Sequence, residues 1–96
     1  MTHNPAQYAR VAADSLARLV QDVRTGRAEW APHTVRPAAA DLLRTAEAMA
    51  AALQQMTTVL DPRAPQTRQH AAALHLAGQA AATCAAQLRT ALRTLH

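Results

Sequence analysis

Apolar residues recur at alternating steps of three and four along two long segments. The first runs Leu42, Ala46, Met49, Leu53, Met56 and Leu60, and the second runs Leu74, Ala77, Ala81, Cys84, Leu88, Ala91 and Leu95. Residues so spaced fall on one face of a helix and form a narrow seam of the coiled-coil kind, suited to packing on another helix. Nearer the N-terminus, Tyr8, Ala12, Leu16, Leu19, Val20 and Val23 mark the face expected to be buried in a shorter helix. Arg10, Asp14, Arg18 and Asp22 step by four along another face. That ladder reads as solvated surface, each pair adding only ~0.2–0.5 kcal/mol. The pattern predicts helices over about 5–25, 36–60 and 63–95, in a single helical-bundle domain spanning 1–96.

The breaks between the helices are chemical. Asn4 is a good N-cap, Pro5 suits the first helical position, and Gln7 stands where a capping box places its reciprocal side chain. Gly26 is a natural left-handed stop for the first helix. The connector GRAEWAPHTVR covers 26–36, and Thr34 is a plausible cap for a second helix starting at Val35 or Pro37. Asp61-Pro62 should end that helix, with Pro65 an alternative start for the third. A connection as short as 61–65 makes helices 2 and 3 antiparallel neighbours, and the longer one lets helix 1 fold back. The expected architecture is all-α, an up-down-up antiparallel three-helix bundle with coiled-coil-like packing. Small residues on helix 3 (Ala77, Ala81, Cys84) should permit close approach, with Leu and Met of helix 2 filling the gap.

Composition narrows this further. Of 96 residues, 26 are alanine and only two are glycine, which makes the helical reading close to forced. Every basic residue is arginine, and Tyr8 and Trp30 are the only aromatics, so the core must be thin and aliphatic. The net charge of +4 is unevenly placed: residues 62–96 hold Arg63, Arg68, Arg89 and Arg93 with no acid. One cysteine excludes an internal disulfide. No secretory signal or membrane span is evident, so a cytoplasmic protein without membrane association is expected.

Little in the chain suggests chemistry. His70 and His75 are five apart and cannot chelate from one helix face, where metal sites use spacings of three or four. Cys84 on a seam reads as a small hydrophobe. Glu29 and Glu47 have no close partner by spacing, and glycine-rich phosphate loops, HExxH and CxxC are missing. The expectation is a protein without catalytic residues, metal or cofactor. Arg89 and Arg93, one turn apart, complement the dipole of a helix C-terminus. With Arg68 they form the alternative reading, a basic strip for nucleic acid, though no aromatic interleaves them for base stacking. Trp30 and His33, in the connector, are candidates for partner binding, Trp being a frequent interface anchor. So are Leu76 and Leu43, each on a second apolar stripe beside its seam: Ala73, Leu76, Ala80 and Thr83 on helix 3, and Leu43, Ala50 and Thr57 on helix 2.

Two likenesses bear on function. Leu74-His75-Leu76-Ala77-Gly78 resembles the phospho-accepting segment of histidine phosphotransfer domains. It has glycine three rather than four residues after the histidine, and Ala77 where those domains have lysine. Length and a lone Trp30 resemble exported helical proteins of the type VII secretion kind, but Trp30-Ala31-Pro32 stands where their Trp-x-Gly bend would be. The function expected is a non-enzymatic protein–protein interaction module that self-associates as a homo-oligomer, a dimer. A nucleic-acid-associated accessory protein and a type VII-like exported protein are the alternatives.

Overall fold

The computed structural model describes residues 4–60 and 63–95. The chain is all-α: α1 spans Pro5–Arg24, α2 spans Pro32–Thr58 and α3 spans Pro65–Thr94. It divides into two compact units, Met1–Pro32 and Pro32's successor His33 through His96.

In the first unit, Asn4 caps α1 as expected. Its Oδ1 accepts from the Ala6 backbone N–H at 3.0 Å, with Pro5 at the first helical position. The helix ends at Gly26, whose φ of 79° lies in the left-handed region. The Arg27 N–H reaches back to the Asp22 carbonyl at 2.8 Å and the Gly26 N–H to that of Val23 at 3.3 Å. These two bonds form a Schellman stop and satisfy carbonyls that the helix leaves open. Of the ladder, Arg18 and Asp22 approach to 3.9 Å. The face expected to be buried is only partly so: Leu19 and Val23 are half-buried, while Tyr8, Leu16 and Val20 are exposed.

The second unit is an antiparallel hairpin of α2 and α3. Three pairings set its register. Arg36 Nε donates to the Leu95 carbonyl at 3.2 Å. Arg89 donates to Glu47 at 3.0 Å. Gly78 lies against Leu53 and the Ala50 carbonyl. α2 starts before its expected cap, since Pro32 opens the helix and places His33 and Thr34 in its first turn. Pro32 is suited to a first position because it has no N–H to leave unpaired. Pro37 then falls inside the helix, where the missing N–H forgoes only the bond to the His33 carbonyl. α3 begins at Pro65, the later of its two expected starts; the Asp61-Pro62 break lies outside the described residues.

The seam between the helices is turned from its expected position. On α3 the inward residues are Ala71, Leu74, Gly78, Ala81, Ala85, Leu88, Leu92 and Leu95, whereas Ala77, Cys84 and Ala91 are exposed. On α2 they are Leu42, Leu43, Ala46, Ala50, Leu53, Thr57 and Leu60, whereas Met49 and Met56 are 49% and 45% exposed. Size explains the turn. The buried hydrophobic residues are Ala46, Ala81 and Ala85, and Gly78 is buried beside them. Alanines and a glycine at the seam let the axes approach, and a methionine there would hold them apart. Thr57 sits inside at little cost because its hydroxyl donates to the Gln54 carbonyl at 2.6 Å.

Gly78 gives a first prediction. A Cβ built there meets Leu53 Cβ at 3.6 Å and the Ala50 carbonyl oxygen at 3.7 Å, both ordinary contacts. Gly78→Ala should therefore stabilise the hairpin by ~0.5–1 kcal/mol, because alanine gives up less backbone freedom in a helix. Denaturant unfolding with a midpoint below that of wild type would show the helices to be closer than drawn.

Candidate interaction surface

The hairpin has two unlike sides. One carries charge: Glu47 pairs with Arg89 across the helices, Arg36 reaches the end of α3, and Arg93 stands in its last turn. Arg44 pairs with Asp41 along α2. A groove of about 340 Å³ lies on this side, between Glu47 and Gln54 of α2 and between Ala82 and Arg89 of α3. Its floor is Ala50 and Ala85, and its two charged residues are already paired with each other. It therefore offers a ligand methyl groups and one occupied ion pair, not the convergent polar groups of a specific small-molecule site.

The other side carries no Glu or Arg, and its one acid, Asp41, stands at its edge, about five helical turns before Val59 on the same stripe. It presents Met49 and Met56 from α2, with Leu42 half-buried where this side meets the seam, and Ala77, Cys84 and Ala91 from α3. The register sets Leu42 level with Ala91, Met49 with Cys84, and Met56 with Ala77. Each level thus holds one long side chain and one short one. Leu76 of α3 and Val59, just past the end of α2, flank this side and are 64% and 82% exposed.

The candidate residues fall out as follows. Leu76 is exposed on the uncharged side. Leu43 is not on that side; it is half-buried toward α3 with the rest of its stripe, Ala50 and Thr57. The stripe of α2 that stays outside is instead the one expected at the seam, Met49 and Met56. Trp30, 47% exposed, lies in the connector of the first unit, and His33 is exposed in the first turn of α2. Arg89 and Arg93 are one turn apart, but Arg68 lies 21 residues before Arg89, ~32 Å along the axis at 1.5 Å per residue. No single phosphate could touch all three. His75 and Cys84 are exposed, and among the described residues no three of His, Cys, Asp or Glu come together.

Helix spacing offers Glu47 no close partner, and the fold supplies one in Arg89. The partners are 42 residues apart in sequence, so helix spacing within one segment cannot find them; the hairpin register does. Both side chains are about half exposed. Arg89→Gln should therefore cost no more than ~1 kcal/mol of stability, as for other solvent-screened pairs. Chemical denaturation showing a larger loss would mean that Arg89 also braces α3 through its stem.

Compared with known proteins, the chain matches no family model, and no curated protein or solved structure shows significant similarity to it.

Proposed function

We propose that the protein is a small helical interaction module that works by docking on another protein chain rather than by catalysis. One observation carries this reading: a largely uncharged side of the hairpin leaves Met49, Met56 and Leu76 between 45% and 64% exposed. An apolar surface that extended is a common mark of an interaction site, and methionine adapts well to a partner. Trp30 in the connector is a second candidate anchor. The groove on the charged side, already closed on itself electrostatically, supports no catalytic alternative. A cytoplasmic location belongs to the same proposal. No helix among the described residues is long and apolar enough to cross a membrane.

The nucleic-acid reading is weakened by geometry. Arg89 is engaged by Glu47, and Arg68 is remote from Arg89 and Arg93. Affinity for nucleic acid grows with the number of phosphates contacted, and this placement offers few at once.

Capture of tagged protein from its native lysate, with and without nuclease, tests the reading. A protein that survives nuclease and is lost with Met49→Glu supports it. Nucleic acid recovered alone, with binding that weakens in Arg89→Gln/Arg93→Gln, would replace it with the accessory-protein alternative.

A further inference from the structure

We infer that the uncharged side of the hairpin is covered by the same side of a second copy of this chain. The result is a four-helix arrangement in which α3 of each copy lies antiparallel on α2 of the other. The inference rests on the interaction-module reading and names its partner.

Complementarity of size carries it. A two-fold axis parallel to the helices keeps every level of the hairpin at its own height and exchanges the two helices across the interface. Met49 then sits over Cys84 of the other copy, Met56 over Ala77, and Leu42 over Ala91. Every long side chain meets a short one, as interdigitating helix layers require. A two-fold axis across the helices would instead stack α2 on α2 and set methionine against methionine. Only the parallel axis uses the alternation of long and short that the sequence provides. The same operation brings Leu76 to the flank of Val59 of the other copy, covering the two large apolar residues most exposed in the hairpin.

Charge and area agree. Two chains of net charge +4 repel each other, yet Glu47, Arg89 and Arg93 lie on the opposite side. The nearest charged group, Asp41, lies at the rim of the contact and is paired with Arg44, so the contact itself buries no unpaired ion. The two helices run side by side from Ala38, level with Leu95, to Thr58, level with His75, ~30 Å, and the face is about two helix widths across, ~18 Å. That is ~550 Å² per copy and ~1,100 Å² in all, just above the ~1,000 Å² that a specific interface needs. The contact is isologous, so it closes at two copies.

The test uses the full chain. Wild type should sediment at twice the 10.3 kDa chain mass at micromolar concentration. Labelling of the Cys84 thiol should slow by ~10-fold or more as the protein is concentrated through its dissociation constant. Met49→Glu should sediment as a monomer. In case that variant fails to fold, a mixing experiment stands beside it. Met49→Cys/Cys84→Ala is mixed with wild type and oxidised gently. The thiol introduced at position 49 should couple to Cys84 of the other chain in preference to either homodimer disulfide. A dimer that gives no such mixed product overturns the arrangement, and so does one that persists in folded Met49→Glu. A wild-type monomer at high micromolar concentration overturns the second copy as partner, whether Cys84 is labelled freely or is protected at every concentration by its own chain. In that event a nuclease-resistant protein captured through Met49 leaves the interaction reading standing, and the lack of any such protein removes both.

Discussion

Ala81→Asp should unfold the α2–α3 hairpin, whereas Ala82→Asp, one residue on, should leave it folded. Ala81 is 5% exposed and lies on the seam among alanines and leucines, while Ala82 is exposed on the charged side. Both substitutions lose the same ~0.7 kcal/mol of helix propensity, so their difference isolates burial. A carboxylate at position 81 would leave water with no cation within one turn on α3, the nearest arginines being Arg68 and Arg89. Removing an unpaired charge from water costs several kcal/mol even after relaxation. A chain of this size has only about 5–10 kcal/mol of stability to lose. Helical ellipticity should therefore collapse in Ala81→Asp and melt near the wild-type temperature in Ala82→Asp. Equal melting of the two variants would mean that α2 and α3 are not in close contact.

Much of the fold is legible in the sequence because it depends on local chemistry. Asn4 with Pro5 starts α1, Gly26 stops it, and Pro65 starts α3, each through a backbone preference that needs no neighbour. The antiparallel hairpin follows from a connection too short for any other path. The start of α2 is less legible, because Pro32 and Pro37 are both acceptable early in a helix and Thr34 is an equally acceptable cap. The rotation of the seam is the least legible feature. On α3, the columns Ala77–Cys84–Ala91 and Gly78–Ala85–Leu92 both alternate correctly with Leu74, Ala81 and Leu88. In a chain this rich in alanine, apolar spacing fits both. What separates them is how near the helix axes can come, and that depends on which residues of α2 lie opposite. The same ambiguity hid the interaction surface. Met49 and Met56 were expected to fill the core because they are large and apolar. They are outside because the hairpin closes on its smallest residues.

Leu53→Ala should lower the stability of the hairpin by ~2 kcal/mol, the lower edge of the range for buried leucines. Leu53 was expected to be among the most buried residues, but it is only half-buried, and the deepest positions are alanines. Its side chain still matters, because Gly78 offers no side chain of its own and Leu53 is its nearest neighbour across the seam. Removing the isopropyl group leaves glycine facing alanine, a gap that neither helix can fill without moving closer. At ~4–8 °C per kcal/mol for a domain of this size, the melting temperature should fall by ~8–16 °C. The Gly78→Ala background makes the reading specific. There the added methyl at position 78 packs on the residue at position 53, so the two substitutions should couple by ~0.5 kcal/mol or more rather than add. Strict additivity in the double-mutant cycle, together with a melt within a degree or two of wild type for Leu53→Ala alone, would remove Leu53 from the seam and with it the register that aligns Met49 with Cys84.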